Sequence, residues 1–321
     1  MTVASMGLAT TPSFFQHRME NLFEQYLWQF VLVYIDDVII FSKSIDEHIR
    51  HLNIALGLLE KSGVTLSLPK CHFAQPSITA LGHHINRLGL STLEDKVEAI
   101  RKWNFPETLQ QLETALGFFG YYRKFVKGYA AIVEPLIQLK TIGFANAPTK
   151  GNKRKKFVKS ALPNPSQNIA DTEPTKNTDH NENKKNKSRN VLNELWNQCK
   201  LAFEKIKEKL YTAPILAFPD FLRPFILYTD GSKERDYEAA LHQQDKNGAE
   251  RPILFLSKSL SAAEKNYWPT ELEMGALIWA LQKLPQYLNG AKFTVITDHQ
   301  AIVNSFKGMD AANKKGPRLT N

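Results

Sequence analysis

Cysteine is nearly missing from this chain. Cys71 and Cys199 are the only two in 321 residues, and they lack the paired spacing of a zinc ribbon. A disulfide-built fold is excluded, and both are expected as free thiols in a reducing compartment. Long apolar runs are missing too. The most apolar stretch, residues 30–41, is interrupted by Asp36 and Asp37 and falls well short of the roughly 20 residues that span a bilayer. The first seven residues hold neither the basic region nor the apolar core of a secretory leader. Evenly spread charge is the third absence. The net charge is +9, but residues 150–190 carry 11 Lys and Arg against 4 Asp and Glu, which leaves only +2 for the rest. The basic balance therefore permits a polyanionic partner without requiring one.

A hydrophobic content of 43% allows real cores, and the length suggests about two domains. Residues 30–41 read F-V-L-V-Y-I-D-D-V-I-I-F. Short runs rich in Val and Ile are strand signals, and two of them around a polar pair predict a hairpin with Asp36 and Asp37 at its turn. Adjacent carboxylates in an apolar setting have two readings: an ordinary solvated turn, or a site for a hard divalent cation.

A helix is predicted upstream, with Phe14, Phe15, Met19, Leu22, Phe23 and Leu27 roughly on one face. Downstream, Ser44 and Glu47 have the spacing of a capping box. They open a helix whose predicted stripe is Ile49, Leu52, Leu56 and Leu59, stopped by Ser62-Gly63. Strand-like pieces follow at 64–68 and 78–85, then helical patterns at 96–103 and 109–139. Residues 143–190 are rich in Asn, Lys, Thr, Pro and Glu and poor in aromatics, the composition of a disordered basic linker. Its clusters at 153–156 and 184–189 are either a solvated tail or a nuclear-localisation or nucleic-acid contact.

Order is expected again from Val191. The pattern runs through an amphipathic helix at 195–210, strands at 224–229, 239–242 and 253–257, a helix at 270–288 and a last strand at 293–297. This is a mixed α/β arrangement. Asp230 and Asp298 each close an apolar strand, and Glu273 sits at the sheet-facing end of the helix stripe Met274, Leu277, Leu281, Leu284 and Leu288. Thr270 and Glu273 also match a capping box, which would leave Glu273 a merely structural role. Two strand Asp and one helix-start Glu are nonetheless a set that can hold metal ions.

In order and spacing these motifs resemble the Pol polyprotein of gypsy-type LTR retrotransposons, over nearly the whole chain apart from the linker. Residues 32–42 resemble its L-V-Y-I-D-D-x-x-x-F-S segment, and Gly7-Leu8, Pro12 and Phe15-Gln16 resemble G-L-x-N-A-P-x-x-F-Q, with Thr10 and Thr11 for Asn-Ala. Residues 69–73 (P-K-C-H-F) and Leu81-Gly82-His83 resemble the next two palm motifs, the second being the primer grip. Residues 96–100 and 117–125 resemble the thumb, the latter including Tyr121, Tyr122, Arg123 and Lys124. Residues 213–216, 229–232, Tyr267, Glu271, Glu273, 279–281 and 297–299 resemble the ribonuclease H domain.

The resemblance implies an α+β, multidomain chain: partial reverse transcriptase palm 1–91, helical thumb 92–142, linker 143–190, connecting helix 191–218, ribonuclease H-like mixed-sheet domain 219–310 and tail 311–321. It implies RNA-directed DNA polymerisation and hydrolysis of RNA in RNA–DNA hybrids, both by two-metal catalysis with Mg2+ or Mn2+. Asp36 and Asp37 would serve the palm, with Lys70 a proton donor to pyrophosphate. Asp230, Glu273 and Asp298 would hold the ribonuclease H metals. Glu273 is chosen over Glu271 because it directly precedes Met-Gly-Ala-Leu, as the family's catalytic Glu precedes its matching turn. Gln16, Gly82, His83, Tyr121, Tyr122, Arg123 and Lys124 would touch nucleic acid.

The expected partners are an RNA template, a DNA primer, the hybrid, and the protease and integrase segments of the parent polyprotein. The expected location is cytoplasmic, in a virus-like particle, with the nucleus as an alternative, and not secreted. The family's other palm Asp lies upstream of Gly7 and its fourth ribonuclease H acid downstream, with Asp310 too near Asp298 to replace it. The polymerase is therefore expected to be inactive in this chain. Asp236 and Glu238 stand where the family favours glycines, and weak hydrolysis is expected; the alternative function is a decayed element that only binds nucleic acid.

Overall fold

A computed structural model describes residues 11–145, 156–159, 179–232 and 236–300, with Pro148, Leu162 and Ile302; for 179–189 it describes the backbone alone. Gly7-Leu8, Thr10, Asp310, the tail 311–321 and most of the expected linker lie outside the described residues. The chain divides into two compact units, 1–78 and 79–321. Among the described residues no helix is long and apolar enough to cross a membrane.

In the first unit, helix α1 (Thr11–Leu22) precedes the hairpin β1 (Val31–Tyr34) and β2 (Asp37–Ile40), followed by α2 (Ile45–Lys61). Met19, Phe23, Phe30, Val31, Ala55 and Leu59 form its core. Ser44 caps α2 by accepting the Glu47 N–H at 3.3 Å, and the Glu47 carboxylate accepts the Lys43 N–H at 2.7 Å. The buried row of α2 is offset from the predicted stripe. Ala55 and Leu59 are buried, whereas Ile49 and Leu56 are exposed, because the row that meets the hairpin continues through His51, stacked on Phe30 at 3.8 Å. The strand expected at 64–68 is absent. The chain there runs irregularly into a 3-10 turn, Leu68–Lys70, entered through Pro69, whose missing N–H suits a turn better than a ladder.

The second unit begins within β3 (Ser77–Ala80), the first strand of a meander with β4 (His83–Asn86) and β5 (Gly89–Thr92). The single strand expected at 78–85 is split by the turn Leu81-Gly82, both residues at positive φ. Helices α3 (Glu94–Arg101), α4 (Leu109–Tyr121) and α5 (Tyr129–Phe144) follow. Helix α6 spans Asp179–Tyr211, so the expected disordered linker is helical from 179. Lys, Arg and Glu propagate a helix well once its amphipathic half is fixed. That half is fixed by burial: Cys199, Phe203, Ile206 and Leu210 share one core with Ile100, Leu112, Phe119, Tyr122, Leu136 and Leu139. The segment expected to connect two domains thus shares one interior with helices α3 to α5. Cys199 is free and buried, with its thiol pushed up to about 12 by burial, and its Sγ–H donates to the Pro135 carbonyl.

Strands β6 (Phe225–Ser232), β7 (Asp236–Gln244), β8 (Glu250–Lys258) and β9 (Phe293–Ile296) form a sheet in the order β8-β7-β6-β9. Only β9 runs parallel to β6. Helix α7 (Pro269–Lys283) covers one face, packing Leu277 and Ala280 on Phe225 and Leu227. The predicted helix 270–288 breaks at Leu284, and Pro285 starts a separate short turn. Helix α5 docks on the sheet's β8 side. Its N-cap, Gly128, has no side chain, and Ser257 Oγ of β8 accepts the Ala130 N–H at 2.8 Å instead. Ser259 Oγ donates to Glu134 at 3.0 Å.

The shared core makes a testable claim. Phe203 is buried, with its ring 5.6 Å from both Phe105 and Phe119. Phe203→Ala is expected to cost about 3–5 kcal/mol in urea unfolding of this helical core. A loss under about 1 kcal/mol would mean that α6 is a mere connector.

Candidate functional site

In the first unit, Tyr34 pairs with Asp37, so the two-residue turn is Ile35-Asp36. Asp36 lies in the turn, and Asp37 begins β2 rather than sharing it. Both carboxylates are exposed. Ile35 has φ +50, a conformation β-branched residues avoid and one that the first position of a type II′ turn requires. Gln16 of α1 holds it there: its Nε2 donates to the Val33 carbonyl at 3.1 Å and its Oε1 accepts the Ile35 N–H at 2.5 Å. A residue expected to touch nucleic acid thus uses its amide on the hairpin backbone. Lys70 is exposed on its 3-10 turn and has no hydrogen bond or ion pair to the hairpin among the described residues.

The expected primer grip is built inward. His83 is buried, its ring 5.2–5.5 Å from Tyr121, Tyr122 and Phe125, and burial pushes its pKa down. Tyr121 donates to the Leu81 carbonyl and Tyr122 to the Gly82 carbonyl, the latter at 2.7 Å. These tyrosines pin a turn whose backbone is strained. Lys124 is half-buried over the Phe125 ring, its pKa lowered by burial. Tyr121 and Arg123 keep exposed surface, whereas His83 and Tyr122 have almost none.

The second acidic set does come together. Along β6, Phe225, Leu227, Thr229 and Gly231 are buried in alternation, so Tyr228 and Asp230 point to the opposite face. Asp230 lies within β6 and does not close it. Gly231 admits α7: a Cβ there would stand 2.2 Å from the Leu272 carbonyl oxygen. This approach lets the Gly231 N–H hydrogen-bond the Glu273 carboxylate. Glu273 is buried with Oε2 unpartnered. Its pKa is raised, first by burial and then by Asp230 and Asp298; the Gly231 N–H and His299 oppose the rise. Capping falls to Glu271, which accepts the Trp268 N–H at 2.8 Å, so Glu273 is free of that role. Asp298 is exposed just after β9, and its neighbour His299 meets Thr270 Oγ1 at 3.2 Å, tying the loop to the start of α7.

Asp230 and Asp298 line a cavity of about 490 Å³ with Tyr228, Glu238, His242, Glu250 and Lys127. Tyr228 donates to Glu250 at 3.0 Å, and His242 Nδ1 lies 2.6 Å from the same carboxylate. Sequence reasoning passed over these three, although period-two counting from Asp230 and Glu238 reaches Tyr228 and His242. Asp236 sits at φ +70, the backbone state that makes glycine favourable there. The donors suit a hard cation in kind: three carboxylates, one with a buried unpartnered oxygen. Among the described residues, no three such groups already stand as a ready ligand set.

Residues 1–85 match the reverse transcriptase (RNA-dependent DNA polymerase) family, and residues 196–295 match the RNase H-like domain found in reverse transcriptase. The chain is 32% identical over 297 residues to the retrovirus-related Pol polyprotein from transposon opus of Drosophila melanogaster, covering 92% of this chain and 26% of that protein. It is 29% identical over 298 residues to the one from transposon gypsy, covering 92% and 25%. The chain spans about a quarter of the length of these curated relatives. A foamy viral protease-reverse transcriptase in complex with RNA/DNA hybrid superposes with a TM-score of 0.66 at 21% identity, covering 94% of this chain and 34% of that one. The same protein with dsDNA gives 0.66 at 20%, covering 98% and 58%. At these identities the likeness is one of fold.

Raising the folded pKa of Glu273 makes its protonated form the one that favours folding. Its contribution is present below the unfolded pKa and is lost as pH rises through the folded value. In chelator, the wild-type chain is expected to lose stability as pH rises just above the ordinary carboxylate range, and Glu273→Gln is expected to lack that loss. Equal slopes in denaturant titrations across pH would contradict the assignment.

Proposed function

From the premise that this chain belongs to the reverse transcriptase and RNase H region of retrovirus-related Pol polyproteins, we propose that its RNase H-like domain hydrolyses the RNA strand of an RNA–DNA hybrid. One observation carries the reading: buried Glu273 keeps an unpartnered oxygen and feels Asp230 and Asp298 at once. Three carboxylates within each other's field favour neutralisation by protons or by a hard cation.

Asp230, Glu273 and Asp298 are the residues that would hold a divalent cation, Mg2+ or Mn2+. When bound, such an ion supplies the charge that lowers the pKa of an attacking water and steadies the departing oxygen. The chain's own part is positional. The Gly231 N–H fixes the Glu273 carboxylate, and the Thr270–His299 contact fixes the Asp298 loop to the helix start. The foamy viral relative of like fold is described with RNA/DNA hybrid and with dsDNA, which supports a duplex or hybrid as partner class. The Asp36-Asp37 hairpin, with Lys70, is assigned to the DNA-synthesising centre of the whole polyprotein, whose template, primer and remaining Pol segments would be its partners.

A second reading, binding without cleavage, is favoured by Asp236 and Glu238. Asp236 forces an acid into a glycine-type conformation, and Glu238 stands directly across the sheet from Asp230, adding negative charge where phosphates must pass.

The assay is cleavage of a labelled RNA–DNA hybrid with Mg2+. Cleavage is expected to fall by roughly a hundredfold or more in Asp230→Asn, since outer-shell changes alone cost 10- to 100-fold at metal sites. Hybrid binding with no Asp230-dependent cleavage would select the second reading.

A further inference from the structure

We propose that a basic cavity at the far end of the RNase H-like sheet binds phosphate groups. Its volume is about 400 Å³, and Arg87, Arg223, Lys246 and Arg251 line it together with Asp220 and Asp245. The four cations come from four separate segments: the β4–β5 turn, the loop before β6, the β7–β8 turn and the start of β8. Both acids are already engaged. Asp220 pairs with Arg223 at 3.1 Å and accepts the Leu222 N–H at 3.1 Å, and Asp245 accepts the Asn247 and Ala249 N–H groups at 2.8 and 3.0 Å. The side chains of Arg87, Lys246 and Arg251 make no hydrogen bond or ion pair among the described residues. Like charges gathered on one concave surface repel one another and concentrate counter-ions there, and a bound anion removes the repulsion.

Backbone bonds bring these segments together. Leu90 and Leu216 exchange hydrogen bonds at 2.8 Å each, which ties the turn carrying Arg87 to the segment ahead of β6, and the Ala217 N–H donates to the Pro252 carbonyl at 2.7 Å. Gln243, only 4% exposed, fastens the next loop to β7. It accepts the Asp220 N–H at 2.9 Å and donates to the Asp220 and Arg223 carbonyls at 2.7 and 2.9 Å. The backbone carrying the cations is thus placed before any ligand arrives, which lowers the ordering cost of binding. Chemistry selects phosphate over carboxylate. A carboxylate has two coplanar oxygens, which one guanidinium fork fills, whereas tetrahedral phosphates offer oxygens to forks from several directions. Position agrees. Gln243 pairs with Phe225, five residues along β6 from Asp230, about 17 Å at 3.3 Å per residue. That is about twice the Debye length of ~8 Å at physiological salt, so the acidic set does little to repel an anion held here.

The test uses the full chain in chelator, so that nothing is cleaved and pyrophosphate stays metal-free. No arm reads cleavage, and the outcome does not depend on the hydrolysis reading. The probes are an RNA–DNA hybrid for backbone phosphate, pyrophosphate for the free anion and poly-glutamate for a carboxylate surface. Each is titrated into the unmodified chain, Arg87→Gln/Arg251→Gln and Arg87→Lys/Arg251→Lys. If the phosphates are those of a nucleic-acid backbone, log K for the hybrid falls less steeply with log salt in the Gln variant. The slope is expected to change by roughly 2, since each phosphate contact contributes about 0.9. The Lys variant keeps the charge and should recover most of that slope. If the ligand is a free anion, pyrophosphate raises the melting temperature of the unmodified chain and not of the Gln variant, with equal hybrid slopes. Either result supports the site and names its source. If neither phosphate probe distinguishes the unmodified chain from the Gln variant, the proposal is overturned. Poly-glutamate binding that alone is lost in the Gln variant would overturn it too, and reassign the cavity to an acidic protein surface.

Discussion

Helix α7 lies as it does because position 231 carries no Cβ. Any side chain there would collide with the Leu272 carbonyl, and the helix would have to lift off β6. With it would go the bond from the Gly231 N–H to Glu273 and the burial that raises the Glu273 pKa. The contact of Thr270 with His299 depends on the same seating. The apolar core beneath, Leu277 and Ala280 on Phe225 and Leu227, fixes the rest of the helix, but the first turn is set by this backbone-to-backbone approach. A close approach of this kind is a geometric requirement that no amount of hydrophobic burial replaces.

The thumb and the RNase H-like sheet are joined by an economical device. Helix α5 starts at a left-handed glycine with no capping side chain, which leaves its first N–H groups wanting acceptors. Ser257 provides one from β8, and Ser259 reaches Glu134 a turn further on. A cap is worth about 1 kcal/mol within one helix. Supplied from a neighbouring sheet, it also specifies which face docks. Helix α6 strengthens the arrangement by burying Phe203 and Ile206 among thumb residues before the chain enters β6. The match to the RNase H-like domain begins at residue 196, inside a helix whose core is the thumb's. Sequence kinship and packing therefore draw the boundary differently.

Much of this was legible in the sequence where periodicity and chemistry agreed. The hairpin at 30–41 followed from two Val/Ile runs around Asp36-Asp37, and Asp230, Glu273 and Asp298 followed from apolar strands and one helix stripe. The cap itself was not readable from pattern: it starts two residues earlier than Thr270 suggests and uses Glu271, which leaves Glu273 out of it. What escaped was tertiary. The row of α2 that is buried depends on His51 meeting Phe30, and a stripe counted from Ile49 has no access to that. Gln16 and His83 looked like ligand contacts because the family motif groups them with such residues. In the fold the Gln16 amide holds the strained turn at Ile35, and the buried His83 ring packs on the tyrosines that hold the Leu81-Gly82 turn.

The two acidic sites differ in electrostatic cost. Asp36 and Asp37 are exposed, so water screens their repulsion and the hairpin bears little penalty for carrying them. Glu273 has no such relief: its carboxylate is buried, one oxygen lacks a partner, and two more carboxylates stand near. A group of that kind lowers stability at neutral pH unless something positive neutralises it. The surrounding fold tolerates it through a dense apolar interior under α7 and a single N–H from Gly231. A local violation of the rules for stable cores, held in place by a strictly shaped backbone, is where chemistry is expected in an otherwise consistent structure. By that criterion the hydrolysis proposal stands on Glu273 rather than on the hairpin, although the hairpin is the most recognisable segment.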